Sequence, residues 1–297
     1  VATIIAAIVA GTTYTLTDEN PFWVQSVEQW GMSPGHNLES RGPEQHGSTF
    51  EDFRLDPRDL ELIVCFRGVD STLLANRRTL LTIFQRRTDP ILLRFTFDDG
   101  TVRQIDCHLA TGLSFGRDGR DHDLMRAAVV LRCPDPTFYD PTGAAVTFEL
   151  GGATGAGGVV PTPVPTEVGA STIDASTPVT YAGTWRSQPS LIRITGPITE
   201  FVLTNETTGD DITAKAGVTI AAGDYYDIDC RYGIATVIDS SGVNKVANIT
   251  DTSELTTFHL APNPDALGGI NSLSLTGSNV TSITKVEITY YNRFLGA

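Results

Sequence analysis

The chain has no apolar run of about 18 residues or more, so no segment reads as a membrane-spanning helix. The early apolar stretch from Val1 to Gly11 is short and has no basic region before it, which fits a strand better than a signal peptide. A valine at position 1 is what remains when an initiator methionine is trimmed before a small side chain, so the chain is expected to be nearly full length. Paired metal-ligand spacings are missing too. Cys65, Cys107, Cys133 and Cys230 occur singly, and neither C-x-x-C nor H-x-x-x-H is found, which argues against a zinc site. Three of the cysteines sit inside apolar, strand-like runs, where thiols behave as small buried hydrophobes; four free thiols and synthesis in a reducing compartment are expected. Lysine is absent from the first 150 residues, whose 14 basic groups are all arginine. Arginine suits planar, bidentate pairing at subunit interfaces, although a GC-rich coding sequence would produce the same bias.

The usual catalytic signatures are missing as well. There is no phosphate loop, no G-x-S-x-G elbow, no H-E-x-x-H and no G-x-G-x-x-G after a strand, so no phosphoryl, hydride or metalloprotease chemistry is indicated. A glycosidase needs only two converging carboxylates and leaves no contiguous motif; the expectation is nevertheless a protein that is not an enzyme and needs no cofactor. The net charge of −14 is shared equally by the two halves and disfavours gripping a phosphate backbone.

Threonine, valine, isoleucine and aromatics in short alternating runs predict a mainly β protein. In the first half, strands are expected at Thr3–Ala10, Phe22–Trp30, Leu60–Phe66, Ile91–Phe97, Thr101–Ser114 and Leu124–Cys133. Asp98-Asp99-Gly100 is the expected hairpin turn. One helix is expected between them, capped by Asp70 or Ser71, with Leu73, Leu74, Arg77, Leu80, Leu81 and Phe84 as its apolar stripe and Pro90 beyond its end. The first domain, 1–150, is therefore α+β, a sheet covered by one helix. Within it the polar, aperiodic stretch Gly31–Ser48 reads as a contact arm, with a plain solvated loop as the alternative.

Residues 151–178, rich in Gly, Ala, Thr and Pro, read as a linker, or as an extended segment packing through Val159, Val160 and Val164. Beyond it, about ten short strands in 179–297 predict a two-sheet sandwich or jelly roll.

Three clusters could carry a site. Asp118, Asp121, His122 and Asp123 could hold calcium but lack the alternating loop of such sites, and a turn is the simpler reading. Tyr225, Asp227 and Asp229 share one strand face, as a sugar site would need and as an ordinary wet sheet face would also show. The sequons at Asn205, Asn248 and Asn279 read as turns. Trp23, Trp30 and Trp185 could line a carbohydrate platform, with core packing as the default.

Asp52-Phe53-Arg54-Leu55-Asp56-Pro57-Arg58 leads to the helix with Arg77 and Leu80–Phe84, then to Pro90–Phe97, Asp99-Gly100, Arg103 and the exit Asp135-Pro136-Thr137-Phe138-Tyr139-Asp140. Through these residues the first half resembles the N-terminal belt domain of the distal tail proteins of long, non-contractile-tailed bacteriophages. The second half is similar to that family's galectin-like sandwich through Pro189 to Pro197, Asn205, Thr207-Thr208-Gly209, Ala222-Gly223-Asp224 with Ile228-Asp229, and Phe258-His259-Leu260. One turn departs, reading Leu260-Ala-Pro-Asn-Pro-Asp265 where the family often has L-x-P-G-x-N.

The resemblance implies a structural virion component at the distal end of the tail: a homohexameric ring joining the tail-tube protein to the hub or tail-fibre protein, with the tape-measure protein as a further partner. DNA passes without specific binding, and nothing inserts in a membrane. Candidate ring contacts are Arg54, Arg58, Arg77 and Arg78, and changing Arg58 or Arg77 to Glu is expected to impair the ring more than the fold. Candidate tube or hub contacts on the arm are Ser33, His36, Asn37, Arg41 and His46. Carbohydrate, through Tyr225, Asp227 and Asp229, is the alternative ligand, and a tail-tube or minor tail subunit is a third reading.

Overall fold

The computed structural model describes residues 4–17, 21–117, 123–149 and 173–297. Most of the Asp118–Asp123 cluster and Val159, Val160 and Val164 lie outside them. Among the described residues the chain is mainly β with one α-helix, and it divides into two compact units, Val1–Pro141 with Phe294–Ala297, and Thr142–Arg293. No helix among the described residues is long and apolar enough to cross a membrane.

The first unit contains β1 (Ile4–Val9), β2 (Thr12–Thr15), β3 (Phe22–Glu28), β4 (Gly35–Ser40), β5 (Thr49–Leu55), β6 (Arg58–Arg67), α1 (Asp70–Ile83), β7 (Ile91–Thr96), β8 (Val102–Leu109), β9 (Ser114–Arg117), β10 (Leu124–Cys133) and β11 (Phe138–Tyr139). Its main sheet runs β2-β1-β7-β8-β10-β6-β3, all antiparallel; β4 and β5 form a separate hairpin. β6 and β10 pair from Arg58↔Cys133 to Arg67↔Leu124. Their period of two sends Leu60, Leu62, Val64 and Phe66 of one strand, and Ala127, Val129, Leu131 and Cys133 of the other, into one core. The expected single strand Thr101–Ser114 is broken into β8 and β9, with Gly112 in the break. The Asp98-Asp99-Gly100 turn forms as expected, with Gly100 at φ 83° and the Thr101 amide donating to Asp99 Oδ1 at 2.8 Å.

The helix differs from expectation in two respects. Its cap position is Val69, without a side-chain cap; Asp70 instead supplies an acid to the first turn, favourable at the positive end of the helix dipole. Its buried side is the narrower stripe Leu73, Asn76, Leu80 and Ile83, whereas Leu74 and Leu81 are exposed and Arg77 lies over the Phe115 ring at 4.7 Å. Seven-residue spacing keeps 73 and 80 on one side of a 3.6-residue helix and turns 74 and 81 outward.

The second unit contains β12 (Ala144–Glu149), β13 (Ile173–Thr180), β14 (Leu191–Thr195), β15 (Ile198–Asn205), β16 (Asp211–Thr213), β17 (Thr219–Ile220), β18 (Tyr225–Asp229), β19 (Thr236–Asp239), β20 (Ile270–Ser278) and β21 (Lys285–Tyr290). They form two five-stranded sheets, β12-β21-β14-β18-β19 and β13-β20-β15-β16 with β17 on β15. Ile192, Ile194, Ile228, Val286 and Ile288 from the first sheet and Ile198, Phe201, Leu203, Leu273 and Leu275 from the second share one core, a sandwich. Unit limits differ from the expected ones at both ends. β12 pairs with β21 from Ala144↔Tyr290 to Glu149↔Lys285, so it belongs here rather than to a domain ending at 150. Residues 173–178, expected in the linker, are strand, paired with β20.

A buried amide cluster holds the Leu260–Asp265 turn. Asn271 Oδ1 accepts from the Ala261 amide at 2.8 Å, and its Nδ2 donates to the carbonyls of Ala261 at 3.0 Å and Gly269 at 3.2 Å. Asn205 Nδ2 donates to the His259 carbonyl at 2.7 Å, and this sequon asparagine is fully buried. Asn271→Ala is expected to orphan one amide and weaken two carbonyl contacts in a dry setting, lowering stability by about 2–4 kcal/mol. Denaturant titration reads that loss directly, and a shift below about 1 kcal/mol would show that water replaces the amide.

Candidate functional site

β4 and β5 run from Gly35↔Leu55 to Ser40↔Thr49 and pair with no other strand among the described residues. A two-stranded hairpin is marginal in water, and both of its edges carry open backbone donors and acceptors. The stretch Gly31–Ser48 is therefore not the aperiodic loop its composition suggests: Gly35–Ser40 is strand, and its partner extends to Leu55.

The register slips once. Leu38 faces Asp52, but Glu39 faces Phe50, so Glu51 is an extra residue in β5. In an unbroken strand Phe50 and Phe53, an odd number of residues apart, would point to opposite faces. The bulge puts Phe50 opposite Glu39, Phe53 opposite Asn37 and Leu55 opposite Gly35, so all three share one face of the hairpin. Phe50 is 58% and Phe53 41% exposed. The result is an apolar stripe on an isolated, two-edged arm. Gly35 is required where the strands meet, since a Cβ there would lie 2.9 Å from the Arg54 carbonyl.

Polar contacts shape the tip. Arg41 Nε donates to the Gln45 carbonyl at 3.0 Å, the Gly42 amide to Gln45 Oε1 at 2.9 Å, and Gln45 Nε2 to Thr49 Oγ1 at 2.9 Å; Ser48 Oγ donates to Glu39. At the root, the Asp56 amide donates to the Pro34 carbonyl at 2.9 Å, and His36 Nδ1 lies 2.9 Å from Asp56 Oδ1.

Beneath the root lies Arg58, fully buried, which corrects its expected place among the ring contacts. Its Nη1 donates to the carbonyls of Gln29 at 2.9 Å and Gly31 at 2.7 Å, and its Nη2 to Ser33 Oγ at 2.9 Å and to the Leu295 carbonyl; the guanidinium stacks 4.7 Å from the Phe138 ring. Burial lowers its pKa from the usual arginine value. Ser33, expected as an arm contact, is buried and passes the connection on, its Oγ donating to the Pro136 carbonyl at 3.0 Å. Both residues anchor the arm because the entering chain, the exit segment around Pro136 and the last residues converge there. Arg103 adds a second hold on those last residues: it pairs with Asp140 at 2.6 Å and lies 3.6 Å from the Phe294 ring centroid.

The remaining candidates are dispersed. His36, Asn37, Arg41, His46 and Arg54 are exposed on the arm; Arg77 and Arg78 are exposed on α1, beside Leu74 and Leu81. Tyr225, Asp227 and Asp229 do share a strand, but both carboxylates are engaged and the tyrosine ring is covered. Arg193 grips Asp227 through two contacts of 2.7 and 2.8 Å while lying 4.1 Å over the Tyr225 ring, and Arg231 grips Asp229 at 2.7 Å. Hydrogen bonding to those carboxylates raises the pKa of both arginines. Trp30 is stacked on Phe97, with ring centroids 6.4 Å apart. No group of three or more His, Cys, Asp or Glu side chains among the described residues could hold a metal.

Sequence reasoning missed the Phe50–Phe53 stripe, because the bulge that creates it has no local signature. It also missed the anchoring role of Arg58, because an arginine reads as a surface residue.

No protein-family model matches the chain, and no curated protein matches it. Among solved structures, the crystal structure of SPP1 Dit, described as a paradigm of the hub adsorption apparatus in phages infecting Gram-positive bacteria, is similar at 17% identity and a TM-score of 0.62. That match covers 98% of this chain and 99% of SPP1 Dit. The phage P2 baseplate in its activated conformation with Ca matches at 11% identity over 97% of this chain and 98% of the other, with a TM-score of 0.43, a level that does not establish a shared fold. Over nearly its whole length, this chain has the fold of SPP1 Dit.

Proposed function

We propose that the protein is a structural, non-enzymatic component of a bacteriophage tail tip, a ring adaptor of six copies placed between the tail tube and the hub or fibre apparatus. The observation that carries this reading is the end-to-end fold correspondence with SPP1 Dit, both units included. Fold alone does not assign function. The arm supplies the local support: an isolated hairpin with open edges and an exposed apolar stripe gains stability by laying itself against another copy, as closed rings built from one repeated contact require. Arg54 on the arm then belongs to the contact between copies together with His36, Asn37 and Arg41, a change from the tube or hub contact expected of those three, and exposed Leu74 and Leu81 of α1 offer a face to the tube or hub protein, with Arg78 beside them in place of the ring contact expected of it.

Light scattering over a range of concentrations, with negative-stain images, tests this. The expected result is a closed species of six times the 31.9 kDa protomer with a central hole. Long tubes would favour a tube subunit instead. A monomer that also fails to assemble in the presence of the tail-tube protein would overturn the ring.

A further inference from the structure

Cys107 and Cys133 are 26 residues apart in sequence and come from different strands, yet their Sγ atoms lie 3.1 Å apart with both side chains fully buried. They meet at a particular place in the sheet. β8 and β10 are paired only through Leu131↔Leu109 and Arg132↔His108, whereas β10 pairs with β6 along its whole length and β8 with β7 over six residues. This short ladder is the seam joining β2-β1-β7-β8 to β10-β6-β3. Carrying its register one place further sets Cys133 opposite Cys107. Directly opposed residues of an antiparallel pair have Cα atoms about 4.5–5.5 Å apart, inside the range of about 4.4–6.8 Å that a disulfide spans. The other two cysteines have no such geometry. Cys65 Sγ lies 3.4 Å from Gln25 Oε1, and Cys230 is in the core of the second unit.

We propose that Cys107 and Cys133 form a disulfide-forming site that locks the seam of the first unit's sheet when the protein meets an oxidant such as hydrogen peroxide. In the first step one thiolate attacks a peroxide oxygen: the O–O bond breaks, the sulfur becomes a sulfenic acid, and hydroxide leaves to be protonated to water. The second thiolate then displaces hydroxide from the sulfenic sulfur, forming the S–S bond and a second water. Two thiols lose two electrons and two protons, and one peroxide becomes two waters. Burial pushes the Cys107 thiol well above its usual pKa, while the charge of Arg58, the register partner of Cys133, acts on that thiol in the opposite sense. Oxidation is consequently slow while the seam is closed and gains from its opening. The crosslink closes a chain loop and should raise the stability of the first unit.

The test treats the full-length protein with excess hydrogen peroxide, alkylates remaining thiols under denaturing conditions, and maps the peptides by mass spectrometry. The expected product is a single Cys107–Cys133 link, two hydrogens lighter than the dithiol, with Cys65 and Cys230 alkylated. The oxidised protein should melt several degrees higher than the reduced one, and dithiothreitol should reverse the gain. The double variant Cys65→Ser/Cys230→Ser should keep both results. Alkylation of Cys107 and Cys133 after prolonged oxidation, over-oxidation of either without a link, or a linked protein that melts no higher would overturn the proposal.

Discussion

Replacing Arg58 by alanine should unfold or loosen the first unit while leaving the second intact. The guanidinium donates to four acceptors drawn from residues 29, 31, 33 and 295, and it covers the Phe138 ring. Alanine leaves a cavity the size of a long side chain, and three carbonyls and one hydroxyl lose their buried donor. Cavity formation together with unsatisfied polar groups should cost about 4 kcal/mol or more, a large fraction of the roughly 5–15 kcal/mol that holds a domain together. Lysine in the same place keeps the charge but has no planar fork, so Arg58→Lys should recover only part of the loss. The two units have separate cores, so denaturant unfolding need not be two-state, and two transitions are the natural readout. The expected result is a lower midpoint for one transition and an unchanged midpoint for the other. An Arg58→Ala protein with both midpoints unchanged would show that water fills the site and that the guanidinium is dispensable. This expectation differs from the one drawn from the sequence, in which a charge reversal at Arg58 breaks a ring contact and spares the fold.

The second large effect should appear in assembly, with the fold preserved. Phe50 and Phe53 are exposed on the same face of the arm and belong to neither core, so the double variant Phe50→Ser/Phe53→Ser should cost only about 1 kcal/mol or less of stability. If the stripe packs against a neighbouring copy, two aromatic anchors are lost at every joint of the ring. Aromatic anchors at the centre of an interface are worth about 2 kcal/mol or more each, so affinity per joint should fall by several hundredfold or more. Light scattering should then report monomer at concentrations where the parent protein forms the proposed hexamer, with unaltered circular dichroism. A variant that still closes into rings would move the contact away from the stripe. A useful contrast is Leu74→Ser/Leu81→Ser on α1, which by the same reading should leave the ring intact and weaken its attachment to the tube or hub protein.

Much of the architecture was legible because it is written in local periodicity. The alternation Leu60, Leu62, Val64, Phe66 needs only a strand's period of two to declare which side is buried, and the core contains those residues. The Asp99-Gly100 turn, the single helix before Pro90 and the many short strands of the second half are likewise properties of neighbouring residues. The absence of catalytic motifs is a property of the chain alone. Local pattern was weaker where two stripes overlap, as at Leu73 and Leu74, since only the position of the sheet decides which of the two lies beneath the helix.

What the tertiary structure decided are the features that depend on a partner far along the chain. Glu51 becomes a bulge only against β4, and that one-residue slip brings Phe50 and Phe53 to the same side. Arg58 is buried because Gln29, Gly31, Ser33 and Leu295 bring their acceptors to it, and no local rule foretells four acceptors meeting one guanidinium. Cys107 and Cys133 are ordinary buried thiols in sequence and face each other only because β8 and β10 share a register. Side-chain period and turn chemistry act over a few residues, whereas register, convergence and the return of residues 294–297 to the first unit are settled by which distant segments pack together.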